Sequence, residues 1–265
     1  ATKMNPIQLS DFKSIDELRL KNIQIFEEHK QTKKRGKILS FEETIEIDEN
    51  SIVSLCSGSM GGKGRGLAFA NALIQNIDFN PFADKIHITT PRTAIIGTDE
   101  FEKFIKTYIT NKNVYEKEYS DEEIKQMFCE GKLSDDLRKK LIALLEQINK
   151  PIAVRSSSIF EDSLNQPLAG LFSTYIIPNN SNSEKRIHDL ETAIKLVFAS
   201  VFTQQVKQFY KHTYLNLEEE KMAVVLQELV GNYYESYFYP HISGVAQSYN
   251  FYPVSHMKPE EGFAM

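Results

Sequence analysis

Between Gly58 and Gly66 the chain places five glycines around a lysine: Gly58-Ser59-Met60-Gly61-Gly62-Lys63-Gly64-Arg65-Gly66. An apolar run, Ile52-Val53-Ser54-Leu55, precedes this cluster. Leu67, Ala70, Leu73, Ile74 and Ile77 follow it at helical spacing. The order is therefore buried strand, glycine-rich turn, helix. Glycines permit a tight backbone path whose successive N–H groups point at an anion. A helix that begins just afterwards adds its positive end, and Lys63 adds a mobile charge. The same glycines equally suit a turn that packs a helix closely on a strand. Neither common phosphate fingerprint fits. Gly58 to Gly62 leaves three residues between, one fewer than a Walker loop, and Gly64 rather than Ser or Thr follows the lysine. The spacing G-x-G-x-x-G is absent.

A second constellation follows the apolar run Pro151-Ile152-Ala153-Val154. It comprises Arg155-Ser156-Ser157-Ser158, Glu161-Asp162 and Ala169-Gly170. A strand ending in Arg155 would hold a guanidinium fork at a sheet edge, suited to a phosphate. On local pattern alone, the default is a surface arginine paired with Glu161 or Asp162. The third is Met222-Ala223-Val224-Val225-Leu226-Gln227-Glu228-Leu229-Val230, an apolar strand broken by a polar pair. Its end suits either an adenine edge or a core strand whose polar pair faces water.

Elsewhere the pattern predicts further elements. Ile15, Leu18, Ile23 and Phe26 suggest an amphipathic helix over residues 12–31, followed by the basic run Lys30–Lys37, read as a solvated loop. Phe41 to Asn50 reads as an exposed strand or linker. Strands are expected at 85–89, 94–96, 171–177 and 244–251. Helices are expected from Asp99 as N-cap through Tyr108, from the Ser120/Glu123 capping box, over 135–149 and as one long element over 184–210. Pro178-Asn179-Asn180 marks a turn.

Composition excludes several classes. No stretch reaches the roughly 18 apolar residues of a membrane span, and the first residues lack an apolar signal core. Cys56 and Cys129 fit neither a metal spacing nor a disulfide framework, which favours a reducing, cytoplasmic setting. Net charge is −5, so general nucleic-acid binding is not expected. The six histidines show no i, i+4 ligand spacing, so no metal ligands are assigned. No Gly-x-Ser-x-Gly elbow occurs.

Taken in order, the motifs resemble a known family. Gly61-Gly62-Lys63-Gly64, Val154-Arg155-Ser156-Ser157, Ala169-Gly170, Ala223-Val224-Val225-Leu226-Gln227 and Ser243-Gly244-Val245-Ala246 carry the likeness. They are similar to the N-terminal nucleotide-binding domain of the phosphoenolpyruvate synthase and pyruvate phosphate dikinase family, over about residues 51 to 265. The resemblance implies an α/β (α+β), ATP-grasp-like fold in two lobes, 51–150 and 151–265, after a charged helical arm or linker, 1–50. It implies that Lys63 and Arg155 bind ATP phosphates and act in catalysis. Gly170 and Thr174 would lie in a loop over the phosphates, and Gln227, Leu229 and Val230 by the adenine, with Glu228 pointing elsewhere or accepting from the amino group. It implies ATP with Mg²⁺, and a phosphoryl group passed through a histidine carrier in the parent protein to pyruvate or another small acceptor bound by other domains. No nucleic-acid or membrane partner is implied.

There are departures. The family's acidic metal ligands and Gln-Ser-Arg-Pro-like element would lie beyond Met265, so the domain is expected to be incomplete at its C-terminus and inactive alone. No histidine here sits in a Thr-x-His-x-Ala context. Arg65-Gly66-Leu67 and Ser158-Ile159-Phe160-Glu161-Asp162 depart from the usual spelling, which suggests a diverged branch. The alternative function is a non-catalytic nucleotide-binding sensor or regulatory module.

Overall fold

Runs of β-branched residues build a six-stranded mixed sheet in the computed structural model, which describes residues 14, 36–41, 46–48, 51–77, 88–158 and 170–265. The order is β1 (Ile38–Ser40), β2 (Ile52–Cys56), β3 (Thr93–Ile96), β6 (Met222–Glu228), β4 (Ile152–Ser158), β5 (Thr174–Ile177). β1, β2 and β3 are parallel, β6 runs against both β3 and β4, and β5 runs against β4. Hence β4 points the same way as β2 and β3. The carboxyl-terminal ends of four strands, β1 to β4, emerge at one end of the sheet, where ligands of open α/β sheets commonly bind.

Alternation assigns the two faces. Val53, Leu55, Ala94, Ile96, Ile152, Val154, Met222, Val224 and Leu226 join the main core. That core is completed by α2 (Thr98–Phe104), α3 (Asp121–Glu130), α4 (Asp135–Gln147), α5 (Ser183–Ala199) and α6 (Gln204–Thr213). Ile52, Ile95 and Val225 point the other way, under α1 (Gly61–Asn76), where Met60, Leu67 and Ala68 cover them. Much of the chain's phenylalanine fills the helical side. Phe101 meets Phe198 edge-on with centroids 5.2 Å apart, and Phe104 stacks on Phe128 at 5.6 Å.

Caps set the helix starts. Ser120 and Glu123 form the expected capping box at α3. Ser134 caps α4, and its N–H and hydroxyl donate to the buried Glu100 carboxylate at 2.7 and 2.8 Å. The expected turn at Asn179 has φ 56°, and its amide donates to Ile148 O and Lys150 O just past α4.

Several expectations need correction. The helix after β3 starts at Thr98 with Gly97 as N-cap, places Asp99 inside its first turn, and runs on into a π-helical turn, Ile105–Ile109. The long helix is two, α5 and α6, separated by the 3₁₀ turn Ser200–Phe202 and extended Thr203. There Ser200 donates to Val197 O at 2.7 Å and Thr203 to Ser200 O at 3.1 Å, side-chain bonds that compete with helix continuation. Phe41 and Ile47 are core residues rather than parts of an exposed strand or linker: Phe41 N donates to Ser54 O at the sheet edge, and Ile47 N donates to Gln147 Oε1 at 2.9 Å. Ile88 and Thr89 lie in no regular element. Residues 85–87, the helix over 12–31 apart from Ser14, and the basic run through Arg35 lie outside the described residues.

The chain divides into two compact units, Ala1–Glu228 and Leu229–Met265. The sheet belongs to the first, and strands from both sides of residue 150 share it, since β3 pairs with β6. The second holds the hairpin β7 (Asn232–Tyr234) to β8 (Tyr237–Tyr239) and the ribbon β9 (Ala246–Gln247) to β10 (Phe263–Ala264). Tyr234 stacks on Tyr239 with centroids 4.3 Å apart. The strand expected over 244–251 is reduced to β9, because Asn250 turns the chain by accepting from Tyr252 N. Among the described residues no helix is long and apolar enough to cross a membrane.

Candidate functional site

On the face that α1 covers, three segments distant in sequence meet. Lys63 lies in the first turn of α1, and its ammonium donates to Ser156 O at 3.0 Å and to Ser156 Oγ at 3.4 Å. The neighbouring Arg155 projects from the middle of β4, and its Nη1 donates to Gln227 Oε1 at 3.0 Å. Gln227 Nε2 in turn donates to Thr93 Oγ1 at 3.3 Å. The register explains this line of contacts. Arg155 pairs with Val225 and Ala153 with Gln227, so Arg155 and Gln227 are diagonal neighbours on one face. Thr174 stands directly opposite Arg155 on β5 and is exposed.

The glycine turn is held against β4. Ser157 Oγ donates to Met60 O at 2.7 Å and accepts from Gly64 N at 3.0 Å, closing the helix start with a side chain from another strand. Gly61 has φ +68°, and a Cβ there would run into the Ser157 carbonyl. Helix α1 thus begins within the glycine cluster, at Gly61, rather than after it.

Arg155 is neither at a strand end nor at a sheet edge. β4 continues to Ser158, with β6 on one side and β5 on the other. The serines tolerate strand burial because their polar atoms are bonded inside the protein. Ser158 Oγ donates to Glu220 Oε1 at 2.8 Å, and the other Glu220 oxygen accepts from Tyr210. The alternative partners Glu161 and Asp162 lie outside the described residues. Gln227 and Glu228 split across the sheet. Glu228 pairs with Ile152 and lies 3.3 Å from Lys150 Nζ, so it points away from Arg155. Gly170 has φ +78° with open space around it. Leu229 and Val230 open the second unit, and Val230 is exposed.

Thr93 is a member of this cluster that sequence reasoning missed. Only strand pairing brings β3 beside β6, and no local pattern announces it. At the end of β2, burial first and the Glu100 carboxylate second push the Cys56 thiol up to about 12, so it is no nucleophile near neutral pH. Among the described residues no group of three or more His, Cys, Asp or Glu could hold a metal ion.

The arrangement places two cations, an amide and several hydroxyls along one strand. That set suits recognition of a phosphorylated ligand with a polar head. No curated protein matches the chain. Residues 57–264, which hold every motif described here, match the family described as pyruvate phosphate dikinase, AMP/ATP-binding domain, and the chain belongs to that family.

Proposed function

We propose that this chain is the ATP-binding part of a dikinase-type phosphotransferase with an ATP-grasp fold. The parent protein would pass a phosphoryl group from ATP to a histidine carrier, then to pyruvate or another small acceptor. One observation carries the proposal: Lys63, Arg155 and Gln227 converge along β4, joined through Ser156 and by the 3.0 Å Arg155–Gln227 bond.

The order along the strand gives each residue a task. Lys63, held at Ser156, and Arg155, in the middle of β4, neutralise phosphate charge. Gly170 and Thr174 border that region, Thr174 by its register with Arg155. Gln227 takes the adenine end. Mg²⁺ enters as the companion of the ATP phosphates. The described residues supply no group of three or more His, Cys, Asp or Glu that could cage it.

The test is a calorimetric titration with Mg·ATP. The wild-type chain is expected to bind saturably. Arg155→Ala should weaken binding by roughly tenfold or more, the worth of a charged hydrogen bond. A wild-type chain that binds no ATP would overturn the assignment.

A further inference from the structure

We infer that Thr98 and Asp99, on the turn after β3, are positioning residues for the glycine loop that carries Lys63. This rests on the nucleotide role proposed for that loop. Because β2 and β3 are parallel neighbours, the loop leaving β2 and the turn leaving β3 emerge side by side. Four hydrogen bonds join them. Ser59 N donates to Thr98 Oγ1 at 2.9 Å, and Thr98 N donates to Ser59 O at 3.0 Å. Asp99 N donates to Ser57 O at 3.3 Å, and Ser57 Oγ donates to Asp99 Oδ2 at 2.6 Å. Between these bonds sits Gly58, with φ +96°, where a Cβ would come within 2.6 Å of Thr98 Oγ1. Thr98 itself is buried.

The loop is therefore held on two sides. Thr98 and Asp99 hold residues 57–59, and Ser157 holds Met60 and Gly64. Lys63 follows only four residues after Ser59. A loop that must present backbone donors and a lysine to phosphates binds more tightly when its path is fixed beforehand. Thr98 and Asp99 act through the loop rather than on the ligand. The effect should therefore fall on the phosphate end of the nucleotide and spare the base.

Thr98→Val keeps the branched shape and removes the acceptor for Ser59 N, whereas Thr98→Ser keeps the oxygen. Calorimetry of the full chain would compare Mg·ATP with adenosine, which lacks phosphates. We expect Thr98→Val to bind Mg·ATP about tenfold more weakly, roughly the loss of one well-placed hydrogen bond. Adenosine affinity should be unchanged, and Thr98→Ser should bind ATP like the wild type. Asp99→Ala should repeat the selective loss, and it carries the test where Thr98→Val does not fold. Equal ATP binding by folded variants and wild type overturns this inference alone. Parallel loss of ATP and adenosine also overturns it, since that marks general damage. A wild-type chain that binds no ATP overturns both this inference and the proposed function.

Discussion

At the scale of single residues, glycines of the same cluster do different work. Gly61 combines φ +68° with close contact to the Ser157 carbonyl. Gly66 lies within α1 with nothing within 4 Å of where its Cβ would be. Gly61→Ala should therefore destabilise the fold by about 2–4 kcal/mol, from left-handed strain plus displacement of β4. Gly66→Ala should stabilise it by about 0.5–1 kcal/mol, because alanine has less backbone freedom to lose in a helix. Urea unfolding of the two variants checks this, and effects of equal sign would contradict it. The glycine spelling announced a tight turn, but it could not tell which glycine touches another strand. That depends on Ser157, nearly a hundred residues away.

Between elements, a buried polar link joins α6, the segment before β6, and the end of β4. Glu220 accepts from Ser158 on β4 and from Tyr210 on α6, and all three side chains are buried. Glu220→Ala would remove the acceptor of two buried hydroxyls, at about 1–3 kcal/mol each. We expect a loss of roughly 2–5 kcal/mol in urea unfolding, with Glu220→Gln losing less because it keeps an acceptor. A loss below about 1 kcal/mol would show that the hydroxyls find other partners. Element starts were legible where a cap and a periodic apolar face coincide, as at Ser120. The end of β4 was not. Three serines after an arginine read as loop, because serine's affinity for water is visible in sequence and the burial that satisfies it is not.

For the whole molecule, buried titratable groups predict how stability responds to alkali. Cys56 is pushed from 9.0 up to about 12, by burial first and Glu100 second. Burial also raises Tyr210, helped by its bond to Glu220, and raises Tyr115 with help from Glu218. In each case the folded state keeps a proton that the unfolded chain releases at its ordinary value. Their contribution is full below about pH 9 and is lost progressively as pH rises toward 12. Lys207 works the other way, since burial lowers it and favours its neutral form. Burial raises Cys129 as well, so with four groups against one the urea midpoint should fall steadily from pH 9 to pH 11. Cys56→Ala should fall less steeply over the same range. A wild-type midpoint that stays flat would refute this.

The sequence by itself determined the local grammar of this protein. A strand, glycine turn and helix around Lys63, the capped helices and the apolar strand that carries Gln227 follow from residue order and spacing, and the ordered motifs carry the resemblance to the family. These features rest on interactions within a few residues, where side-chain type largely decides backbone conformation. Only the tertiary structure decided that Arg155 stands in mid-sheet with Gln227 as its partner, that Thr93 completes the cluster, and that Thr98 and Asp99 grip the glycine loop. Each of those depends on which strands become neighbours and in which register. Strand pairing joins residues tens of positions apart, and its hydrogen bonds run between backbones that carry no record of their partner.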